Sequence, residues 1–412
     1  MTPNPSLFPW KRNLIVLWFA QVITTLGFSF TFPFFPIFFG AVGVVDAERA
    51  AFLAGISGGL LGLGMGLFAP IWGIVGDRYG RRLNILRALV LGAVFLILSG
   101  YAQNAFQLVV SRFFVGATSG VVPTIMALVA AHTPRHKLSL AAGATMSALL
   151  FGTAIGPLVG GVIFDNFGMR AAFWATGLGL LFAAAMVILL VREDFLKPEA
   201  VKSPLEPFRS LWRLVGNSSF LPVLLMVMLL HAGVLMITPA IAGLVATLDG
   251  GSTSASATAV VFASIGIAGA ISSIGMGWLA GRIGIRRLFI AAAAAAAVAS
   301  LGPFFAHGIV EFTLLAGLVA LFQGGLGGLL QGLIASKTPT GLHGAAFGAS
   351  QVAHSIGTAL GPMVGGAAVV LFGFRSVFLV NMGLFTIVLM LALVVITTST
   401  TASSRATNRL SS

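Results

Sequence analysis

No cysteine occurs in the 412-residue chain, which excludes disulfide frameworks, thiolate nucleophiles, cysteine-based metal sites and c-type haem attachment. Charge is almost as scarce. Asp, Glu, Lys and Arg make up only 8% of residues, against about 25% in soluble domains, so the chain cannot cover a water-facing surface. There is no Walker loop, hence no direct drive by nucleotide hydrolysis. Ser, His and Asp form no catalytic cluster, so the chain is not read as an enzyme and no cofactor is expected. His132 and His136 stand four apart, but Pro134 interrupts a helix between them and no acid is near in sequence, so no metal site is expected.

What is abundant is apolar. Hydrophobic residues make up 58% of the chain, with 52 Gly and 34 Phe, and mean hydropathy is +1.04. A spanning helix needs ~20 apolar residues, so the composition allows about twelve. Long runs without any charge, as from Ala171 to Val191, exclude a barrel, whose strands alternate apolar and polar residues over ~10 positions. Punctuation by Gly, Pro and charge predicts spans 1 to 12 at residues 14–36, 51–73, 83–101, 106–131, 139–164, 171–191, 220–246, 258–280, 288–307, 312–335, 344–371 and 376–397. The first run follows Lys11 and Arg12 but is too long for a signal peptide, and it is retained as span 1. Residues 192–219 are polar and fall at mid-chain, which marks them as a linker between halves 1–191 and 220–397. Residues 398–412 are Ser/Thr-rich and are expected to be a disordered tail.

A net charge of +13 raises the question of nucleic acid, and its distribution answers it. With both termini placed in the cytoplasm, 19 of the 23 basic residues fall in inside segments, as the positive-inside rule requires. The excess charge sets orientation and meets anionic lipid; no nucleic-acid partner is expected. The expected location is the inner (cytoplasmic) membrane.

The halves repeat at an offset of 204 to 205 residues. Gly73-x-x-x-Asp77-Arg78-x-Gly80-Arg81-Arg82 returns as Gly277-x-x-x-Gly281-Arg282-x-Gly284-Ile285-Arg286, and Thr133-Pro134 returns as Thr338-Pro339. Gly152-x-x-x-Gly156-Pro157-x-x-Gly160-Gly161 in span 5 returns as Gly357-x-x-x-Gly361-Pro362-x-x-Gly365-Gly366 in span 11. The architecture expected is an all-α membrane protein of two pseudo-symmetric six-helix bundles.

These residues resemble the major facilitator superfamily over essentially the whole chain. Residues 73–82 are similar to its loop signature between spans 2 and 3, and residues 152–161 to its antiporter signature. Leu26-Gly27-x5-Pro33-x2-Pro36, with Arg112, Gly116 and Gly120, resembles motifs of the twelve-span drug:proton antiporters. The resemblance implies a proton-driven exporter of small lipophilic compounds that works by alternating access, usually as a monomer. A metabolite symporter or uniporter of the same fold is the alternative, and an intramembrane enzyme a remote one.

Gly152, Gly156 and Gly160 lie at i, i+4 and i+8 and form a groove without side chains. Pro157 removes a backbone bond beside it. We expect a pliable interface between the bundles there, repeated at Gly357, Gly361 and Pro362. By the resemblance, Asp77, with Arg78, Gly80, Arg81 and Arg82, would hold a cytoplasmic gate shut against the start of span 11. No acid lies at mid-span, a departure from many multidrug transporters of this type. Arg112, His231 and His354 remain as candidates for proton coupling or substrate contact. Gln21, Thr25, Phe28, Phe32, Gln323 and Gln351 are the candidate cavity lining, which suits a lipophilic substrate that is neutral or anionic.

Overall fold

The structure, a computed structural model, describes residues 10–134, 137–193, 220–250, 255–338 and 343–410, and every regular element among them is helical. Among the described residues, eleven helices are long and apolar enough to cross a membrane. One of them, Leu138–Leu190, has 53 residues, which at ~1.5 Å each is ~80 Å against a hydrocarbon core of ~30 Å. It is two helices meeting at Gly168, where a φ of 79° suits a residue without a Cβ. The chain reverses there. Trp18 Nε1 donates to Ser147 Oγ at 3.1 Å and Ser29 Oγ donates to the Thr153 carbonyl at 3.0 Å, so spans 1 and 5 run in the same direction. Asn13 Nδ2 donates to the Arg192 carbonyl at 2.7 Å while Gly27 faces Thr176, so span 6 runs back. The twelve expected spans are all present.

Span 1 is Trp10–Thr31 continued through a short 3-10 turn into Phe35–Ala41. Spans 2 and 3 are Ala47–Tyr79 and Arg81–Gly100, and span 4 is Ala105–Ala117 with Val121–His132, broken at Gly120. Span 7 is Leu221–Met236 with Thr238–Leu248, span 8 is Ala255–Ile283, and span 9 is Ile285–Ala299 with Gly302–Phe305. Span 10 is Ile309–Gln323 with Leu326–Lys337, span 11 is His343–Phe372 and span 12 is Ser376–Leu410. Most helices overrun the predicted limits by a few residues, and at two helix starts, Asp46 and Asn104, a polar side chain caps the extension. Asp46, for instance, accepts from Glu48 N at 2.9 Å and starts span 2 four residues earlier than its hydropathy does. The segment 398–410, expected to be disordered, is helical and continuous with span 12, since extending an existing helix is far easier than nucleating one.

Each bundle has its own apolar core, and the exceptions show where the halves meet. Ala255 and Ala259 of span 8 belong to the core of the first half, and Ala51 of span 2 belongs to a core of the second. All three lie away from the side that carries the basic loops.

Candidate functional site

The glycines of spans 5 and 11 do not sit between the bundles, contrary to the expectation from their spacing. A Cβ on Gly152, Gly156 or Gly160 would lie 2.8, 2.7 or 2.6 Å from Thr25, Ser29 or Phe30, all in span 1. Gly357, Gly361 and Gly365 press in the same way on Met228, Ala232 and Met236 of span 7. These are seams within a bundle. A glycine groove admits a close neighbour, and here the neighbour is the partner in the same half. Pro157 is buried in the first seam.

The interface between halves uses the next residue. A Cβ on Gly161 would lie 2.7 Å from Ala259 of span 8, and one on Gly366 would lie 3.0 Å from Phe52 of span 2. Spans 2 and 11 then descend together. The Pro362 carbonyl abuts Gly55, Gly62 lies against Ala359 (2.6 Å from a Cβ at Gly62 to its backbone nitrogen), and Gly66 lies against Ser355. Spans 5 and 8 repeat the crossing, with Gly266 against Ala154 at 3.1 Å from the Cβ position. At the far end of that seam the Asp165 carboxylate accepts from the Ser256 backbone N–H at 3.0 Å and from the Ser256 hydroxyl. Toward the basic side the contacts stop. Among the described residues, nothing approaches within 4 Å of a Cβ position at Gly73, Gly143, Gly277 or Gly348. Among the described residues, the halves are sealed at one face and parted at the other.

The two histidines singled out separately meet. Their rings lie 4.0 Å apart, centroid to centroid, at an angle of 65°. Gly357 makes the meeting possible, since its Cβ position lies 3.1 Å from that of His231. His231 Nδ1 lies 2.8 Å from the Val227 carbonyl; a carbonyl only accepts, so Nδ1 carries the hydrogen and Nε2 is the free acceptor of the neutral ring. Arg112 is 1% exposed with its guanidinium 4.4 Å from the Phe35 ring. It borders a narrow gap with Ser57, Thr238 and Pro362, directly under the sealed face, with room for about one water.

On the basic side the loop signature is a network, though not the one expected. Gly80, with φ of 101°, turns the chain from span 2 into span 3. Glu193 then accepts from the backbone N–H groups of Arg81 and Arg82 at 2.9 and 2.7 Å and caps span 3. That residue was assigned to the linker; it is part of the first bundle. Arg81 donates to the Ala127 carbonyl at 2.9 Å and Arg82 to the Ile188 carbonyl at 2.6 Å, so both tie helix ends as well as marking orientation. Arg78 lies 5.5 Å from the Tyr79 ring. Asp77 is exposed, and among the described residues it makes no hydrogen bond or ion pair with its expected partners, the neighbouring arginines and the start of span 11; the side chains of 343–345 lie outside the described residues, as do His136 and residues 194–219. Arg87, not singled out by the sequence, stacks 3.6 Å over Trp72 and donates to the Thr118 carbonyl at 2.8 Å, holding the break in span 4.

Several expected lining residues are instead inside a bundle. Gln21 is fully buried and donates to Thr25 Oγ1 at 3.0 Å, and Thr25 packs against Gly152. Gln323 is 3% exposed and donates to Asn381 Oδ1 at 2.8 Å; Asn381, which no motif marked, donates in turn to the Gly233 carbonyl at 2.7 Å. The amide N–H groups find partners on helix neighbours, as a polar group within a span requires, whereas Gln21 Oε1 is buried with no partner among the described residues. Phe28 is half-buried on the first core, Gln351 is exposed, and the Phe32 side chain lies outside the described residues.

Comparison with known proteins agrees with this architecture. The family model described as Major Facilitator Superfamily matches residues 17–275 and 223–411. The multidrug resistance protein MdtG of Enterobacter lignolyticus is 30% identical over 373 residues, covering 90% of this chain and 89% of the relative. Among solved structures, the nucleoside transporter NupG superposes with a TM-score of 0.77 at 14% identity, covering 94% of this chain and 99% of that one. A bacterial homologue of the human lysosomal transporter Spinster gives 0.74 at 16% identity, over 94% and 97% of the two chains.

Proposed function

The chain belongs to the Major Facilitator Superfamily, and from that premise we propose that it is a proton-coupled exporter of small lipophilic compounds that works by alternating access. The observation that carries the reading is the pair of seams, closed at one face and parted at the other. Basic loops belong in the cytoplasm. The parted face is therefore cytoplasmic, both termini lie inside, and the structure is the state that takes up substrate from the cell interior. The membrane is the inner (cytoplasmic) membrane. MdtG is a multidrug resistance protein, which supports drug-like cargo. One chain holds both halves and functions as a monomer.

Acids described in the structure lie at helix ends or in loops, as Asp46, Asp77, Asp165, Glu193 and Glu311 do. The coupling proton is assigned to the His231 and His354 pair. Two imidazolium charges 4.0 Å apart repel in a medium of low dielectric, so the pair holds one added proton at a time. A substrate that is neutral or anionic fits spans that carry His231, His354 and Arg112 and, among the described residues, no mid-span carboxylate. Asp77 is the inner lock, idle in this state and engaged when the cytoplasmic face closes.

The test is reconstitution in liposomes with an imposed pH gradient, following lumenal pH as lipophilic dyes and antibiotics are added. Wild type should move protons opposite to the dye, and His231→Ala should bind dye without moving protons. Dye transport indifferent to the pH gradient would refute proton coupling and leave a uniporter; protons moving with the dye would mean symport.

A further inference from the structure

We propose that the cytoplasmic face closes by extending the two existing seams in the same register, with Gly73 of span 2 against Gly348 of span 11 and Gly143 of span 5 against Gly277 of span 8. The proposal rests on the alternating-access reading and names the contacts that reading requires.

The register is set by the closed half of each seam. Spans 2 and 11 are antiparallel and cross at Gly62 and Ala359; spans 8 and 5 are antiparallel and cross at Gly266 and Ala154. Each of the four open glycines lies eleven residues from its own crossing residue, toward the cytoplasm: Gly73 from Gly62, Gly348 from Ala359, Gly277 from Gly266 and Gly143 from Ala154. Eleven residues make about three turns, ~16 Å, and return to the same helix face within ~20°. In an antiparallel pair, equal steps in opposite sequence directions keep partners level. The four glycines are therefore on the seam faces and at matching heights, whichever seam is followed.

The internal repeat points to the same pairs independently. Gly73 and Gly277 are equivalent at an offset of 204, and Gly143 and Gly348 at an offset of 205. The repeat thus carries one seam onto the other. All four positions have no neighbour within 4 Å of a Cβ among the described residues, although a glycine inside a helix costs ~1 kcal/mol relative to alanine. Other helical glycines, such as Gly275, Gly281 and Gly383, are open in the same way; what sets these four apart is that they stand at matching heights on the two seam faces, where a close approach in the other state accounts for a bare surface. Gly73 falls within the loop signature and Gly277 opens its repeat, whereas Gly143 and Gly348 lie in no motif that the sequence marked.

The chain lacks cysteine, so paired cysteines can be introduced without removing any. Gly73→Cys with Gly348→Cys, and Gly143→Cys with Gly277→Cys, would be made in chains carrying a protease site within residues 194–219. Oxidation in membranes with copper phenanthroline and oxygen takes two electrons and two protons from each thiol pair, and proteolysis then shows whether the halves remain joined. Close glycine crossings bring Cα atoms into the ~4.4–6.8 Å range that a disulfide needs. The register controls are Gly73→Cys with Val352→Cys, and Ser147→Cys with Gly277→Cys, each displaced by one turn.

We expect joining ~tenfold faster for the in-register pairs than for the displaced ones, because only their side chains meet in the closed state. Equal or faster joining of the displaced pairs overturns the register. Outward opening is read separately, as labelling of Ala259→Cys in the outer seam by an impermeant maleimide. Labelling without in-register joining refutes this inference alone; no labelling refutes alternating access. Should the cysteine pairs fail to fold, Gly143→Leu in the Ala259→Cys background replaces them. It should slow labelling ~fivefold or more by propping the cytoplasmic face open, and unchanged labelling would count against the seam.

Discussion

Removing the Asp165 carboxylate should open the outer face. Asp165 ends span 5 and accepts from the backbone N–H of Ser256 at 3.0 Å and from its hydroxyl, in the first turn of span 8, where the helix dipole is positive. The residue is exposed, so the charge-assisted bonds fall at the low end of their range and together contribute ~1 kcal/mol. That contribution exists only while spans 5 and 8 touch at this end. Losing it in Asp165→Ala leaves the cytoplasm-closed state unaffected and raises the outward-open fraction by a factor of about five. Asp165→Asn keeps an acceptor oxygen but loses the charge, and should fall between. The assay is the initial rate at which Ala259→Cys, buried at 2% exposure against Gly161, reacts with an impermeant maleimide. When opening is rare and exchange fast, that rate follows the open fraction. A rate for Asp165→Ala within twofold of the parent, or below it, would show that the contact does not hold the seam.

Two further substitutions test the parts that position the seams. Glu193→Ala leaves the Arg81 and Arg82 N–H groups uncapped and should lower stability by ~1–2 kcal/mol in thermal unfolding, whereas Asp77→Ala, at a residue with no partner among the described residues, should change it by less than ~0.5 kcal/mol. An equal loss in both would contradict the capping role. Gly361→Leu places a side chain into the Ala232 backbone and should prevent accumulation of folded protein, while Gly383→Leu, where nothing lies within 4 Å, should be tolerated; size-exclusion profiles in detergent would separate the two.

Much of the fold was legible because in lipid the cues are coarse: a spanning helix must be apolar for its whole length, and Arg and Lys collect on one side. The helix ends were less so, since their caps come from afar, as Glu193 does for Arg81 at a separation of 112 residues. At the site, His231 and His354 stood out one at a time, but nothing in either span said they would touch. Glycines at i, i+4 and i+8 announce that some helix comes close without saying which, and so the seams of spans 5 and 11 were placed between bundles when they lie within them. A usable signal was present in the doublets Gly160-Gly161 and Gly365-Gly366. Adjacent residues point ~100° apart on a helix, so a doublet serves two neighbours, one in each half. The stripe Gly55, Gly59, Gly62 and Gly66 in span 2 carried the matching half of that signal.

The repeat also shows where the molecule departs from symmetry. Shifted by the repeat offsets, Asp165 becomes Val370 and Asp77 becomes Gly281. The outer clasp therefore belongs to the seam of spans 5 and 8 alone, and the proposed inner lock to the seam of spans 2 and 11 alone. Glycine seams that close in one register at either end contribute similarly to both states, so they make the exchange feasible without choosing a direction. The choice falls to the few polar contacts found in only one state, each of ~1 kcal/mol. The alternating access proposed above needs two states within a few kcal/mol of each other, and the Asp165 clasp with the proposed Asp77 lock, on opposite seams, would keep the difference within that range.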